Sequence, residues 1–366
     1  MQKVCPASAL LANTSLDDGE NLQPMTVDAT IAGWEWIGYL CICGPICCIG
    51  FVCNILSIVV LQIGRWRMQL GGSSTFLLQI LALADNYVLV MVFLSKTLEI
   101  ASRWHKDFAS YGDFFRLHLA EFNGFFDIAK TYEVLLVASI TTTRFVGMFW
   151  PLRTVRFRRT RPLLIMCFAL LCYTVIFCLP RFFEFKLEEC FDIALNKSVK
   201  FPAPSSLLHD KYYHAVYYGI DCIINILLPI ALVAILNPLI IFKLRKMRYQ
   251  SHDIDGRSRT HNVTVYLVAI ASMFTVLMLT SFVTTIMVLH DLNLETSHVD
   301  VKAVIVGDVM FTINCSINFL IYLAVGRSFR ATLGEIFRCT RKRKPEVGSG
   351  FHNPMSMTST STEVLY

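Results

Sequence analysis

Seven long apolar stretches dominate the sequence. They cover residues 36–63, 74–93, 114–145, 163–179, 213–242, 263–289 and 301–325. An α-helix needs about 20 predominantly apolar residues to cross a hydrocarbon core of about 30 Å, whereas a membrane-spanning strand needs only about 9–11. The stretches therefore predict an all-α membrane protein, built as a bundle of seven transmembrane helices.

The composition favours the same class of protein. Hydrophobic residues form 55% of the chain and charged residues 16%, and the mean hydropathy is +0.54. Soluble domains average about 45–50% apolar and about 25% charged residues. A soluble helical protein would also not contain seven apolar stretches of this length. No nucleophile stands at a recognisable spacing from a base, so we do not expect an enzyme.

Lys and Arg residues fall mainly on one side of the predicted bundle. The segments on the N-terminal side (1–35, 96–118, 181–212 and 290–302) contain 11 basic and 16 acidic residues. The segments on the opposite side (64–73, 144–162, 243–260 and 326–366) contain 21 basic and 5 acidic residues. Because basic residues are retained on the cytoplasmic side, we predict a plasma-membrane protein with an extracellular N-terminus and a cytoplasmic C-terminus. The basic balance then reflects membrane topology and contact with anionic lipids, and we expect no nucleic-acid partner.

The two ends of the chain differ from the bundle (36–325). Residues 1–35 are predicted to form an extracellular tail. Residues 326–338 carry Leu333, Ile336 and Phe337 and predict a short amphipathic helix on the cytoplasmic membrane surface. Residues 339–366 are predicted to be a disordered cytoplasmic tail, and its Ser and Thr residues suit phosphorylation.

Several residues outside the bundle are candidates for covalent modification. The sequons at Asn13 and Asn196 lie on the predicted extracellular side, and the sequon at Asn262 lies on the cytoplasmic side. We expect glycosylation at the first two alone. Cys339 follows the amphipathic segment directly, beside a basic run, and is a predicted palmitoylation site.

Most of the apolar stretches contain a polar residue or a proline at a characteristic place. These residues are Asn54, Asp85, Arg144 followed by Pro151, Pro229, Asn318 and Tyr322 in INFLIY, and Phe329 beyond the last stretch. In this order and spacing the chain resembles the rhodopsin-like G-protein-coupled receptors over about residues 36–338. The segments LPRFFEF (179–185) and SSTFLLQILALAD (73–85), with NFLIY, make it most similar to the invertebrate FMRFamide-type neuropeptide receptors.

The resemblance implies a receptor that couples an extracellular peptide agonist to a heterotrimeric G protein, and a Ser/Thr-rich tail (339–366) that receptor kinases phosphorylate and arrestin binds. It places Arg144 at the floor of the cavity that the G protein enters. The predicted activation switch comprises Arg144, Thr143, Phe145, Pro229, Asn318 and Tyr322. Thr143 stands where relatives usually have an acidic residue, so Arg144 lacks the carboxylate that restrains it and we expect raised basal signalling.

Further departures from the family pattern concern the extracellular side. The family usually has a cysteine at the start of the third span that bonds to the second outer loop, but Leu119 and Ala120 stand there. Cys190 therefore lacks its family partner. Cys5 is the other cysteine on the predicted outer side, and connectivity leaves a Cys5–Cys190 bridge open.

Ionisable residues inside the apolar stretches are costly, at least ~2.5 kcal/mol each at the bilayer centre, and mark candidate functional positions. One expectation is that Lys130 pairs along its own helix with Asp127 and Glu133, each three positions away. The resemblance implies another arrangement, in which a polar network binds a sodium ion at Asp85. That network would contain Asp85, Glu133, Asn54, Asn314 and Asn318, with Lys130 able to replace the ion.

Acidic residues also mark the outer half of the bundle. Asp127, Asp221 and Asp308 lie on three different stretches, Glu184 lies in an outer segment, and the outer segments carry a net charge of −5 (11 − 16). A cationic ligand complements such a surface. The arginine near the amidated end of a peptide would fit, with Phe126 beside an aromatic neighbour. The opposing interpretation is that these acids pair with Lys130, Arg181 or water.

Two other functions share parts of this pattern. A chemosensory receptor for a small molecule has the same fold and signalling route, and the sequence does not separate it from a peptide receptor. An ion-coupled transporter would also contain intramembrane charges, but the chain has no internal repeat. Thr312 and Phe126 occupy the places of the retinal-binding lysine and the amine-binding aspartate of the family, which argues against both ligands.

Overall fold

Long helices form most of the part of the chain that the computed structural model describes, which is residues 29–68, 72–150, 160–192, 197–250, 268–280, 282–283 and 301–341. Helix α1 joins Ala29–Glu35, the π-helical Trp36–Cys43 and Gly44–Met68. Helix α2 joins Gly72–Val92, the π-helical Phe93–Thr97 and Leu98–Trp104. After a short 3-10 turn at Lys106–Phe108, helices α3 (Ala109–Leu117) and α4 (Leu119–Phe149) follow.

The second half of the chain adds a hairpin between helices. Helix α5 covers Thr160–Cys178 and continues as a 3-10 turn at Leu179–Phe183. Strands β1 (Phe185–Asp192) and β2 (Lys197–Pro204) follow. Helix α6 joins Lys211–Tyr213, the π-helical segments His214–Tyr218 and Asp221–Leu227, and Leu228–Gln250. Helices α7 (Val268–Thr280), α8 (Val301–Val325) and α9 (Arg327–Arg341) complete the described chain.

Five of these helices are long and apolar enough to cross a membrane. They are Thr30–Ile63, Thr75–Trp104, Thr160–Phe183, Lys211–Lys246 and Val301–Ala324. The third predicted span corresponds to α4, which has 31 residues but carries five ionisable side chains that lower its hydropathy. The sixth corresponds to α7, whose flanking residues lie outside the described part of the chain.

The start of the third span differs from its prediction. The apolar stretch 114–145 predicts one helix, but the chain breaks at His118, between α3 and α4. Phe114 and Phe115 belong to α3, where they contact Phe122 of α4 at ring-centroid distances of 6.1 and 5.0 Å. Tyr111 fixes α3 to α2 by donating a hydrogen bond of 2.5 Å to the Leu94 carbonyl, and burial raises the pKa of Tyr111 to about 12. The apolar stretch that begins at residue 114 therefore includes the end of one helix and most of the next.

The hairpin is the one element with strands among the described residues. The hydropathy of the whole chain predicts helices only, and that holds for the bundle. Residues 185–188 and 199–201 nevertheless alternate apolar and charged side chains, which is typical of a half-buried strand. The strands pair antiparallel, with Cys190 opposite Val199.

The irregular course of α6 has a local cause. Pro229 has no N–H to donate to the carbonyl of Asn225, four residues earlier. The π-helical segment Asp221–Leu227 ends directly before the turn that contains Pro229, so the backbone widens where the regular bond is missing. This widening brings Cys222 and Asn225 to the bundle interior, where both are buried.

Packing separates an interior from a lipid-facing surface. Helix α1 packs along α2 and α8, and α4 packs against α2, α5 and α6. Leu77, Leu136 and Phe274 are at most 1% exposed in the interior. On α5, Ile165, Phe168 and Ile176 are 68, 66 and 72% exposed. A surface with large apolar side chains in this density suits hydrocarbon rather than water.

Candidate functional site

Three polar groups lie along the bundle interior. The outer cluster surrounds Arg181, between α4, the end of α5 and α6. The central cluster surrounds Asp85, between α2, α4 and α8. The third group lies at Arg144, near the C-terminal end of α4.

Arg181 contacts three carboxylates from three parts of the chain. Its Nε lies 3.2 Å from Asp127 Oδ2, its Nη1 3.5 Å from Glu184 Oε1, and its Nη2 3.3 Å from Asp221 Oδ2. The Arg181 side chain is 13% exposed and that of Glu184 5%. A guanidinium is well suited to this place because its planar fork can serve several carboxylates at once.

Tyrosines of α6 complete the outer cluster. The Tyr213 and Tyr218 hydroxyls donate to Glu184 Oε1 at 2.8 and 3.0 Å. The guanidinium carbon of Arg181 lies 4.2 Å from the ring centroid of Tyr218 and 5.2 Å from that of Tyr217, which are cation–π distances. Asn225 donates to Asp221 Oδ1 at 2.8 Å. Most acceptors of the cluster are therefore already occupied.

Close packing against α4 fixes the segment that carries Arg181. A Cβ atom at Gly124 would lie 2.5 Å from Cε2 of Phe182, so only glycine allows this approach. The Phe182 ring also meets Phe125 edge to face at 5.2 Å. Arg181 precedes Phe182 directly, and this contact therefore sets its position among the acids.

Asp308 lies in a different environment. Its Oδ2 accepts a hydrogen bond of 2.9 Å from the Tyr39 hydroxyl of α1, and no ion pair reaches it among the described residues. The Lys96 ammonium lies 5.8 Å from the ring centroid of Tyr39 and 5.9 Å from that of Phe126. Asp308 and Phe126 thus both border a region around Lys96.

The predicted ligand residues consequently fall into two sets. Asp127, Asp221 and Glu184 pair with Arg181, which agrees with the opposing interpretation of those acids. Asp308 and Phe126 lie in the region around Tyr39 and Lys96. The spacing of residues along single helices could not separate these sets, because Arg181 enters from the loop end of α5.

The central cluster joins α2, α4 and α8. Asn318 donates from Nδ2 to Asp85 Oδ2 at 2.7 Å, and Asn314 donates from Nδ2 to Glu133 Oε1 at 3.1 Å. Asn54 donates to the Cys315 carbonyl at 3.0 Å, which ties α1 to the same turn of α8. All of the residues predicted for the polar network except Lys130 are therefore within it, and all are at most 5% exposed.

Lys130 does not neutralise the central cluster. Its ammonium lies 5.6 Å from the ring centroid of Phe311. Within the described chain it makes no ion pair with Glu133 or Asp127, although both stand three residues away. The helical spacing predicts such pairs, but they are not formed: Asp127 pairs with Arg181, and Glu133 accepts a hydrogen bond from Asn314.

Cys315 is a member of the central cluster that the sequence motifs do not identify. Donor atoms of Asp85, Glu133 and Cys315 all lie within 4.8 Å of one another. Asp85 Oδ1 and Glu133 Oε2 are buried and have no hydrogen-bond partner. Sodium remains a prediction for this place, and two carboxylates with a thiol do not fit it well. A single positive charge leaves one buried negative charge, and a thiol is a poor donor to a hard ion.

Among the described residues, Arg144 near the C-terminal end of α4 has no ion-pair partner. Its Nε is buried and unbonded, and no described residue forms an ion pair with it. The Thr143 hydroxyl donates to the Ile140 carbonyl of its own helix at 2.8 Å, so it does not contact Arg144. The Phe145 and Phe149 rings are tilted by 32° to each other with centroids 4.4 Å apart, and the Lys243 ammonium of α6 lies 5.5 Å from the Phe149 ring centroid.

Helix α9 is joined to the end of α8 by aromatic and polar contacts. The rings of Tyr322 and Phe329 have centroids 5.4 Å apart, and Tyr322 is 1% exposed. Arg330 donates from Nη1 to the carbonyls of Leu323 and Ala324 at 2.6 and 2.9 Å, which satisfies acceptors at the C-terminus of α8. Asn318 therefore belongs to the central cluster, whereas Tyr322 belongs to this junction.

Some predicted sites fall outside the described residues or side chains. Asn13, Asn196 and Cys5 are outside the described residues, as is the side chain of Cys339. Cys190 is disulfide-bonded and 2% exposed. Ten other cysteines are described, and all ten are free. The Cys5–Cys190 bridge stays a prediction.

Four members of these clusters carry no motif of their own. Tyr213, Tyr217 and Tyr218 repeat at helical spacing in KYYHAVYYG, which is the one signal that they share a face. Cys315 follows Asn314 directly, and its neighbours in space come from α2 and α4. Only the assembled fold shows that neighbourhood.

Comparisons with known proteins agree with this architecture. The model of the 7 transmembrane receptor (rhodopsin family) matches residues 54–322. The FMRFamide receptor of Drosophila melanogaster is 24% identical over 297 residues, which are 79% of this chain and 52% of that relative. The chain thus spans about half the length of the curated relative it matches. The family match runs from Asn54 to Tyr322, through the central cluster and Arg144, and the chain belongs to the rhodopsin family of seven-transmembrane receptors.

Proposed function

We propose that the chain is a receptor for an amidated neuropeptide of the FMRFamide type, and that agonist binding activates a heterotrimeric G protein at the plasma membrane. Membership of a receptor family supports signalling, and that family is a class of receptors rather than of enzymes. The likeness to the Drosophila FMRFamide receptor supports the ligand class. The observation that carries the ligand proposal is the placement of Asp308.

Asp308 offers an acceptor to a cationic ligand. It is half-buried, accepts a hydrogen bond from Tyr39, and has no ion pair among the described residues. A guanidinium can bond a carboxylate through two parallel N–H groups, and partial burial strengthens such a pair. We infer that the arginine beside the amidated end of the peptide binds here, with Phe126 close enough to contact the adjoining aromatic residue.

The outer cluster has a different role in this proposal. Asp127, Asp221 and Glu184 carry three negative charges against one positive charge on Arg181, if all are ionised. The remaining negative potential attracts a cationic peptide towards the bundle. The carboxylates themselves are already occupied by Arg181, the tyrosines and Asn225, so they shape the site rather than bind the ligand's arginine.

A double-mutant cycle, which removes the charge from Asp308, from the peptide's arginine, or from both, tests the Asp308 contact. The full chain and Asp308→Asn are expressed at equal surface level and assayed with a G-protein reporter. Each is given an amidated peptide ending in Arg-Phe and the same peptide with neutral citrulline in place of arginine. We expect Asp308→Asn to weaken the arginine peptide about tenfold or more, since a bond to a charged group contributes roughly 1.5–3 kcal/mol. The citrulline peptide should act equally on both proteins.

The matched control is Glu189→Gln, which removes an outer acid whose side chain is 68% exposed. It should leave the potency of both peptides unchanged. If Asp308→Asn weakened both peptides equally, the contact would not be with the arginine. If no amidated peptide activated the receptor and small molecules did, the chemosensory alternative would replace the neuropeptide.

The cytoplasmic arm of the proposal rests on Arg144. Its buried, unbonded Nε leaves a donor available to a partner that enters between α4 and α6. Arg144→Ala should abolish G-protein signalling and retain peptide binding, as measured with a labelled peptide on membranes. Retained signalling would exclude Arg144 from the coupling site. Arrestin and receptor kinases remain predictions, because the tail that would bind them lies outside the described residues.

A further inference from the structure

Helix α3 folds back beside the end of α2. The Tyr111 hydroxyl donates to the Leu94 carbonyl, ten residues before α2 ends at Trp104. A Cβ atom at Gly112 would lie 2.6 Å from Oγ of Ser102, so α3 approaches α2 closely at this point as well. At 1.5 Å per residue, Leu94 lies about 15 Å before the end of α2. Helix α3 therefore runs beside the last third of α2 rather than beyond it.

That part of α2 lies at the depth of the lipid headgroups. The apolar span Thr75–Trp104 has 30 residues and is about 45 Å long. This length matches a whole bilayer of about 40–45 Å, whereas the hydrocarbon core alone is about 30 Å thick. The last third of α2 therefore leaves the core and crosses the headgroup layer. Because α3 packs beside it, α3 lies in the same layer.

The two faces of α3 differ in exposure. Phe115 on the inner face is 7% exposed, whereas Phe114 and Leu117 on the other face are 49 and 38% exposed. Trp104 and Phe108, on the turn that leads into α3, are 56 and 43% exposed. These four exposed side chains form the α3 patch (Trp104, Phe108, Phe114 and Leu117). Exposed large apolar side chains in this density mark an interaction surface.

The surface of α2 indicates what covers the α3 patch. Leu83, Tyr87 and Val90 are exposed at successive turns of α2, on the face that suits hydrocarbon. Exposed apolar side chains therefore occur along α2 up to Trp104, where the patch begins. Lipid that covers α2 in the core reaches the patch in the headgroup layer without a change of partner.

The charges of this segment favour a neutral lipid surface. Residues 104–118 contain two basic residues, Lys106 and Arg116, and two acidic residues, Asp107 and Asp113. Arg116 and Asp113 form an ion pair with each other. Interfacial helices that bind anionic lipids are rich in Lys and Arg on their polar face. A balanced set of charges instead suits zwitterionic headgroups.

We propose that α3 is an interfacial helix, which inserts the α3 patch among the zwitterionic lipids of the leaflet beside it. In the predicted orientation this is the extracellular leaflet. Tryptophan is enriched at this depth because its ring is apolar and its N–H is polar, as Trp104 at the end of α2 illustrates. Helix α3 also packs against strand β2. The lipid contact therefore supports the hairpin from the membrane side.

Photocrosslinking of the full-length receptor tests the lipid contact. Phe114→p-benzoylphenylalanine and Leu117→p-benzoylphenylalanine are each placed in phosphatidylcholine nanodiscs that hold one receptor. After illumination, the intact mass counts the receptors that carry a lipid. The same residue at Glu189, a 68% exposed hairpin position, is the water-facing control. We expect about tenfold more lipid adduct at 114 and 117 than at 189, the preference that burial of one large apolar side chain provides.

The positive control is the same residue at Ile165, which is exposed on the lipid-facing surface of α5. Lipid adduct at 114 and 117 no higher than at 189 would overturn the proposal. A second receptor or another protein crosslinked in place of lipid, in cell membranes, would overturn it too. A yield that rises severalfold with phosphatidylserine would show anionic rather than zwitterionic recognition. None of these readouts needs an agonist, so they are independent of the neuropeptide proposal.

Discussion

Two arginines in the bundle interior have opposite surroundings. Arg181 is surrounded by Asp127, Glu184 and Asp221, and its guanidinium also faces tyrosine rings. Arg144 has an unbonded Nε and no carboxylate among the described residues. The first arrangement is fixed by its contacts and holds three segments together. The second leaves a donor free and suits a residue that changes partners.

We propose that the lack of an acid at Thr143 leaves Arg144 free to change partners. Its hydroxyl bonds the Ile140 carbonyl and provides no charge to the arginine beside it. Thr143→Asp places a carboxylate next to the guanidinium, and a partly exposed pair of this kind contributes about 0.2–1 kcal/mol. We expect agonist-free signalling to fall by about two- to fivefold in a reporter assay at matched surface expression.

The control for this substitution is Thr143→Asn, which has the shape of aspartate and no charge. Its basal signalling should remain close to that of the wild type. Equal basal activity in Thr143→Asp and the wild type would show that a neighbouring acid does not restrain Arg144. The proposed role of Arg144 in G-protein coupling is tested separately and would be unaffected.

At the scale of elements, the 3-10 turn at Leu179–Phe183 connects the outer half of the receptor. It delivers Arg181 to acids on α4 and α6, and it begins the hairpin. Its docking on α4 depends on the absence of a side chain at Gly124. Hairpin, turn and outer cluster therefore form one unit whose position is set by a single close contact.

Gly124→Ala tests that contact. The new methyl group would meet Cε2 of Phe182 at 2.5 Å, so the ring and the turn must move, and Arg181 moves with them. Overpacking of this kind typically costs about 1–3 kcal/mol, and we expect a lower Tm together with weaker peptide binding. Combining it with Phe182→Leu should recover part of both losses, because the smaller side chain removes the clash. Additive losses in the double variant would mean that the two residues act independently.

At the scale of the whole molecule, hydropathy and charge predict the bundle and its polar interior. The family motifs identify Asp85, Asn314 and Asn318, and these residues are within one cluster. Neither the helical periodicity of the sequence nor its family motifs can predict contacts between segments that are distant in sequence. Arg181 comes from a loop end, Cys315 carries no motif, and the break between α3 and α4 falls inside a single apolar stretch. Each of these features depends on packing in three dimensions.

A bridge between Cys5 and Cys190 would tie the N-terminal tail to the hairpin. Cys190 is disulfide-bonded, and the other ten described cysteines are free. Of the remaining two, Cys5 lies on the predicted outer side with Cys190 and Cys339 on the cytoplasmic side. We expect peptide mapping without reduction to recover the Cys5–Cys190 pair. Cys5→Ser should lower surface expression, as loss of a native bridge costs about 2–5 kcal/mol, whereas Cys172→Ser, which removes a free thiol, should not.

The orientation of the whole receptor is open to a direct test through its three sequons. Charge counts of 11 basic residues on one side and 21 on the other predict that Asn13 and Asn196 lie outside and Asn262 inside. Asn13→Gln and Asn196→Gln should each remove one glycan, seen as a step in gel mobility that enzymatic deglycosylation abolishes. Asn262→Gln should leave mobility unchanged, because a cytoplasmic sequon never meets the glycosylation machinery. A glycan at Asn262 would show that the topology is the opposite of the predicted one. Asp308 would then face the cytoplasm, where no extracellular peptide could reach it.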